Sequence, residues 1–146
     1  MLDRNHIGHK FEPHTVEIEK GRLRFFAKAI GETNPIYFDE SAAQAAGYRS
    51  LPVPPSFPFS IDLDSPEFLP VLGLLKMDIG RILHGSQEFE YFAPICAGDA
   101  ITCQTELKEM FDKKGGALEF VVLETVFTNS DDEVVVKSTQ SIVYRN

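Results

Sequence analysis

The sequence has 146 residues, a length typical of one domain, and 43% of them are hydrophobic while 25% are charged. These proportions match an ordinary folded domain and exclude wholesale disorder, collagen-like repeats and coiled-coil composition. Fourteen basic residues against 22 acidic ones give a formal charge of −8. Because no basic block is present, nucleic acids and anionic membrane surfaces are disfavoured as partners.

Targeting, membrane and metal signals are also missing. Residues 1–10 are polar and lack the apolar centre of a signal peptide, and the longest apolar run, residues 71–75, is too short to span a bilayer. The two cysteines, Cys96 and Cys103, show no metal-ligand spacing, which favours two reduced thiols. We therefore expect a cytoplasmic protein without a metal site.

The first half of the chain predicts one strand, two helices and an irregular segment. A strand at residues 13–18 precedes an amphipathic helix whose apolar face holds Leu23, Phe26, Ala27 and Ile30. A left-handed glycine, Gly31, is predicted to end this helix, and a second helix at residues 40–46 is predicted to begin after the capping residue Asp39. Residues 48–70 are rich in proline and phenylalanine, and a short helix is predicted to start there at Pro55.

From residue 81 the period of the apolar pattern changes to two. The alternation and the intervening turn residues predict long strands near residues 86–91, 101–108, 118–128 and 134–144. Helices followed by such a meander are typical of an α+β fold, in which the helix around residues 23–30 and the aromatic segment cover one face of an antiparallel sheet.

Standard catalytic motifs are absent, including phosphate-binding glycine loops, nucleophile elbows and zinc-binding HExxH helices. Three of the four histidines lie in the first 14 residues, where exposed surface positions explain them. The fourth, His84, precedes Gly85 at the start of a predicted strand, where it is either bonded to a loop or functional. Asp99, after Gly98, is typical of a turn.

Several phrases occur in an order that resembles a known family. Residues 31–39 read GETNPIYFD, residues 54–58 read PPSFP, residues 83–91 read LHGSQEFEY and residues 97–99 read AGD. Together they resemble the MaoC-like hydratase/dehydratase family, in particular its N-terminal MaoC dehydratase-type branch, over nearly the whole chain. The resemblance implies one hot-dog domain over residues 1–146: a long antiparallel sheet wrapped around a helix, paired with a second hot-dog domain in a homodimer or heterodimer.

The resemblance also implies an activity, that of an (R)-specific enoyl-thioester hydratase or 3-hydroxyacyl-thioester dehydratase, a lyase of fatty acid metabolism. Its substrate is an acyl thioester of coenzyme A or an acyl carrier protein, and no other cofactor is implied. In active members an Asp and a His five positions apart hold a water between them. Such a pair can take the water's proton and direct its oxygen at the β-carbon.

The chain departs from that pair, since Glu32 stands at the Asp position and Tyr37 at the His position. A tyrosine, with an ordinary pKa of about 10, is a much weaker base than a histidine. Three accounts stay open: Glu32 acts with Tyr37 as a hydrogen-bond donor, His84 supplies the imidazole to a rearranged site, or the chain binds substrate for a catalytic hot-dog partner. Thioester hydrolysis, found in other hot-dog families, is a weaker alternative.

Two groups of residues are candidates for binding the substrate. Prolines and phenylalanines at residues 52–59 predict a stiff apolar wall for an acyl chain, or alternatively a plain core segment. The candidate substrate contacts are Asn34, Pro55, Phe57, Phe59 and Gly85. Lys20, Arg24 and Lys28 recur every four residues on one helix face, and they are candidates to contact a phosphate of the carrier or simply form a solvated face.

Overall fold

The computed structural model describes all 146 residues and contains one antiparallel sheet of five strands. The strands are β1 (His14–Glu17), β2 (Ile82–Tyr91), β3 (Ala100–Lys113), β4 (Leu118–Thr128) and β5 (Val134–Arg145). Their order in the sheet is β1-β3-β4-β5-β2, so that β1 and β2 form the two edges. The predicted α+β fold with long antiparallel strands is confirmed.

Four short helices accompany the sheet. They are α1 (Lys20–Ala29), α2 (Glu40–Ala45), α3 (Pro58–Leu63) and α4 (Pro70–Leu75), with single 3-10 turns at Arg4–His6, Pro35–Tyr37 and Ile79–Arg81. The predicted helix start at Pro55 is wrong, because Pro58 is the first residue of α3, where its missing N–H costs no hydrogen bond. No helix is long and apolar enough to cross a membrane.

The inner face of the sheet carries the core, and α1 and α3 cover part of it. Every second residue of β4, from Glu119 to Phe127, is buried. On α1 the predicted apolar face is narrower than expected, since Leu23 and Ala27 are fully buried but Ile30 is 50% exposed. Ile61 of α3 is fully buried in the same apolar cluster. A second cluster lies under α4.

Side-chain hydrogen bonds fix the loops around these elements as the sequence predicts. Asp39 caps α2 by accepting the backbone N–H groups of Ser41 and Ala42, each at 3.3 Å. Asp99 accepts two bonds from the Arg49 guanidinium at 2.7 and 2.9 Å, and a third from the Cys96 backbone N–H at 2.9 Å. This bidentate pair therefore holds the turn before β3 in place. Cys96 and Cys103 are buried and not bonded to each other.

A carboxyl group ties α3 to the centre of the sheet. The two oxygens of Asp62 lie 3.2 Å from the hydroxyls of Thr105 on β3 and Thr125 on β4. Those two hydroxyls are 2.8 Å from each other. Three oxygen–oxygen contacts need three protons and the threonines supply only two, so the ring closes fully only when Asp62 is protonated. Burial raises the pKa of Asp62, against the opposing effects of the two threonine hydrogen bonds and His14.

Gly85 is required by close packing against β5. The register of β2 on β5 shifts between His84 and Ser86, and Gly85 is the extra residue of this β-bulge. A methyl group at Gly85 would lie 2.7 Å from the Ser141 hydroxyl and 2.9 Å from a methyl carbon of Val143. Close packing in the β-bulge therefore explains why a glycine stands at position 85.

We expect Asp62→Asn to remove a pH dependence of stability. Because the folded protein holds the Asp62 proton to higher pH than the unfolded chain, the wild type should lose stability as pH rises above the unfolded pKa of about 4. Urea unfolding of both proteins between about pH 4 and pH 8 measures this, and the difference between them isolates Asp62 from other titrating groups. Parallel stability curves would contradict the protonated ring.

We expect Gly85→Ala to destabilise the fold by about 1–3 kcal/mol, because the added methyl group overpacks the bulge. Gly21→Ala is the matched control, since nothing lies within 4 Å of a Cβ at Gly21 in α1. In a helix the same substitution stabilises by about 0.5–1 kcal/mol. Denaturant midpoints measure both changes, and effects of equal sign would refute this explanation of Gly85.

Candidate functional site

The loop between α1 and α2 presents the residues at the altered pair. Gly31 adopts a φ of 76°, which ends α1 as predicted, and the chain then turns at Asn34. The Asn34 side chain accepts the backbone N–H of Ile36 at 3.2 Å, which starts the 3-10 turn Pro35–Tyr37. Asn34 itself is exposed and shapes this turn. The loop thereby brings Tyr37 toward the protein body.

Glu32 and Tyr37 influence each other electrostatically. One carboxylate oxygen of Glu32 accepts the backbone N–H groups of Thr33 at 2.9 Å and Asn34 at 3.0 Å, which fixes the carboxylate at the start of the loop. Burial raises the pKa of Tyr37 above its ordinary value, and the charges of Glu32 and Tyr48 raise it further. At neutral pH Tyr37 is therefore a hydrogen-bond donor and not a base.

Three tyrosines surround a pocket next to this loop. The pocket has a volume of about 190 Å³ and is lined by Tyr37, Tyr48, Pro52, Val53, Pro55, Tyr91, Pro94 and Ile95. The Tyr91 hydroxyl, at the end of β2, donates to the Pro55 carbonyl at 2.8 Å. Burial raises the pKa of Tyr91, and its neighbour Tyr37 adds to the shift. The pocket therefore offers neutral phenols on apolar walls, which suits a polar but uncharged group such as a thioester carbonyl.

The residues predicted to form one apolar wall lie in three different environments. Pro55 lines the tyrosine pocket. Phe57 is buried and packs edge-to-face on Phe26 with ring centres 5.2 Å apart. Phe59, on α3, stacks against the ring of His84, also at 5.2 Å. Only Pro55 of these candidates therefore lies at the pocket, whereas Phe57 is part of the core.

His84 does not line the tyrosine pocket. Its Nε2 is 3.0 Å from the Ser86 carbonyl oxygen, and it therefore donates a hydrogen bond within its own strand. Six residues of β2 lie between His84 and Tyr91, so the two Cα atoms are up to about 23 Å apart at the usual rise per residue. Tyr91 borders the same pocket as Tyr37, and His84 is not among the residues that line it.

The three cations of α1 have different surroundings. Lys20 forms an ion pair with Glu40 at 2.8 Å, and the Arg24 Nε donates to the Phe38 carbonyl at 3.0 Å. Both side chains therefore tie α1 to the segment that carries Tyr37. Lys28 is exposed, one turn further toward the end of the helix. It is the member of the stripe whose charge is available to a ligand.

Sequence reasoning missed two members of the pocket, Tyr48 and Tyr91. In the sequence, Tyr91 is simply the last residue of an alternating strand, and Tyr48 is the first residue after a helix-ending glycine. Neither position carries a motif that indicates a pocket. A signal was present nonetheless, because Pro52, Pro55 and Pro94 lie close to these tyrosines in sequence and form the rigid walls of the same pocket.

Comparison with known proteins agrees with this architecture. The family model for the FAS1-like dehydratase domain region matches residues 5–138. The chain is 32% identical to the UPF0336 protein of Thermobifida fusca over 145 residues, which cover 99% of this chain and 94% of that protein. A UPF0336 protein of Streptomyces griseus is also 32% identical over 145 residues, or 99% and 95% of the two chains.

Two kinds of solved structure share the fold. The HadBC (3R-hydroxyacyl-ACP dehydratase) complex from Mycobacterium tuberculosis matches with a TM-score of 0.82 at 23% identity, over 97% of this chain and 99% of that chain. A MaoC-like dehydratase from Rhodospirillum rubrum matches with a TM-score of 0.73 at 22% identity, over 96% and 93%. The resemblance noted from the sequence is confirmed: the chain belongs to the family of the FAS1-like dehydratase domain region, and it has the hot-dog fold seen in the MaoC-like dehydratase.

Proposed function

We propose that this chain is the acyl-thioester-binding subunit of an (R)-specific enoyl-thioester hydratase or 3-hydroxyacyl-thioester dehydratase. In this proposal a second hot-dog chain supplies the Asp and His that hold the water. The chain described here then contributes part of the binding site and no proton transfer of its own. Its ligand is a thioester of coenzyme A or of an acyl carrier protein.

The observation that carries the proposal is the tyrosine at position 37. A general base must accept a proton near neutral pH. A phenol whose pKa is raised by burial and by Glu32 stays protonated at that pH and cannot accept one. Hydration of an enoyl thioester without an imidazole would leave Glu32 as the only base, and one of its oxygens already accepts two backbone N–H groups.

Binding is the task that the pocket supports. Phenol hydroxyls from Tyr37 and Tyr48 stand on walls of proline and aliphatic side chains, so a carbonyl could be held by hydrogen bonds while apolar carbons are buried. Lys28 is exposed near the end of α1, shortly before the loop that carries Tyr37. We assign it to a phosphate of the carrier ahead of Lys20 and Arg24, whose side chains are bonded to Glu40 and to the Phe38 carbonyl.

The edge strand β2 supports a second hot-dog chain as partner. This strand has ten residues and pairs only with β5, which leaves one side of a long strand without backbone partners. Large apolar side chains are exposed along and beside it: Ile79, Leu83, Tyr91 and Phe92. The HadBC structure that shares this fold is itself a complex. Pairing along β2 would satisfy the strand edge and cover this apolar surface.

An alternative function is hydration by the chain without a catalytic partner. The observation in its favour is that the charge of Glu32 raises the pKa of Tyr37, which indicates that the carboxylate lies near the phenol. In that mechanism Glu32 takes the proton of water and Tyr37 hydrogen-bonds the thioester. The two functions differ in whether the isolated chain turns over substrate.

We expect the purified chain alone to show no hydration of crotonyl-coenzyme A or of longer enoyl-coenzyme A esters. Adding a hot-dog chain that carries the Asp/His pair, from the same genome, should give turnover, because the pair supplies the base that Tyr37 lacks. The loss of the enoyl absorbance measures the rate. Turnover by the chain alone that disappears in Glu32→Gln, but not in the control Glu19→Gln, would establish the alternative instead.

We expect Leu83→Asp to abolish assembly of this chain with its hot-dog partner or with itself. A carboxylate on the β2 edge would have to be buried without a counter-ion, which strongly disfavours association. Sedimentation of the wild type and the variant measures the assembly. Phe25→Asp is the matched control, because Phe25 is 76% exposed on α1, away from the edge. Equal loss of assembly in both variants would argue against β2.

A further inference from the structure

One buried polar atom of the chain has no hydrogen-bond partner, namely the side-chain oxygen Oε1 of Gln87 on β2. Every other buried side-chain nitrogen or oxygen atom is hydrogen-bonded. Gln87 lies opposite Gln140 of β5, which is only 5% exposed, so both amides are on the inner face of the sheet. Buried acceptors in folded proteins almost always meet a donor. The unpaired oxygen therefore points to a donor that the chain itself does not contain.

Gln87 lies on the stretch of β2 that runs alongside α3 and the residues before it. Two contacts tie this stretch to that segment, one on each side of Gln87. The Tyr91 hydroxyl donates to the Pro55 carbonyl at 2.8 Å, and the His84 ring stacks on Phe59 of α3 with ring centres 5.2 Å apart. Because Gln87 comes between His84 and Tyr91 on the strand, its unpaired oxygen lies between these two contacts, where α3 covers the sheet.

The space between α3 and the sheet is polar next to Gln87. Its cross-strand neighbour Gln140 lines a cavity of about 40 Å³ together with Asp62 of α3 and Thr105 of β3. One water molecule needs about 10–15 Å³, so the cavity has room for a group somewhat larger than a water. A purely aliphatic chain end would displace water from these polar groups without offering a hydrogen bond in exchange. The walls therefore favour a ligand whose end is polar.

The distance between the tyrosine pocket and Gln87 indicates where this polar group lies on the ligand. Tyr91 borders the pocket, and Gln87 precedes it by four positions on β2, which separates the two Cα atoms by up to about 13 Å. In the proposed function the pocket holds the thioester carbonyl. A substituent next to that carbonyl does not span this distance. The donor that meets Oε1 of Gln87 therefore belongs to the far end of the acyl chain.

We propose that the acyl group bound by this chain carries a hydroxyl group at the end remote from the thioester, and that this hydroxyl donates to Oε1 of Gln87. A hydroxyl suits the site because it can donate to Gln87 and also accept from the amide nitrogen of Gln140. A ketone or a carboxylate accepts but cannot donate, and would leave Oε1 unpaired. The hydroxyl site rests on the proposed function, in which the thioester carbonyl occupies the tyrosine pocket.

The test is a calorimetric titration of the purified full chain with octenoyl, decenoyl and dodecenoyl esters of coenzyme A, each with and without a terminal hydroxyl. We expect the hydroxylated ester of one length to bind about 3- to 10-fold more tightly than its unsubstituted counterpart, because Gln87 lies at a fixed distance from the pocket. Equal binding within every pair would overturn the proposal but leave the proposed function standing. If no ester of either kind binds, both are contradicted.

Substitution of Gln87 locates the hydroxyl. Gln87→Met keeps the size of the side chain but removes the amide, and we expect it to abolish the preference for the hydroxylated ester while the unsubstituted ester binds at least as tightly as before. Gln104→Met is the matched control on β3, where the side chain is exposed, and should keep the preference. Should Gln87→Met not fold, Gln87→Asn, which withdraws the amide by one methylene, should show the same loss. A preference that persists in the Gln87 variant would overturn the proposal.

Discussion

The packing of α3 on the inner face of the sheet is the constraint on which the remaining structure depends. This one short helix buries Ile61 in the larger apolar cluster and carries Asp62 onto the threonines of β3 and β4. The residues before α3 form one wall of the tyrosine pocket, and the residues at its end and after it border a separate cavity of about 40 Å³. Displacing α3 would therefore alter both pockets at once.

In the proposed function, the electrostatics of the Tyr37 loop separate binding from catalysis. A carboxylate and an imidazole around one water form an acid–base pair, whereas a carboxylate beside a partly buried phenol stabilises the phenol in its protonated form. The same desolvation that disables Tyr37 as a base strengthens it as a donor to a neutral carbonyl. Such a division of labour requires the second chain to place its own pair at the mouth of this pocket.

Much of the fold could be predicted from the sequence, because periodicity reports directly on burial. The alternation in β4 and the capping by Asp39 are local patterns, and both are present in the structure. The start of α3 was misplaced since Pro55 and Pro58 are equally suited to a first helical turn, and tertiary packing decides between them. The tyrosine pocket depends on contacts between distant segments, on which local patterns carry no information. The position of His84 outside this pocket likewise follows only from the folded sheet.

The central claim, that this chain binds the thioester without performing proton transfer, is tested most directly in the complex with its catalytic partner. Glu32→Gln and Tyr37→Phe are introduced together in this chain alone, and kcat and KM are measured separately. The account predicts a raised KM with kcat unchanged within about twofold, because only binding is affected. A kcat that falls by about a hundredfold or more would show that Glu32 and Tyr37 take part in the chemistry, and would contradict it.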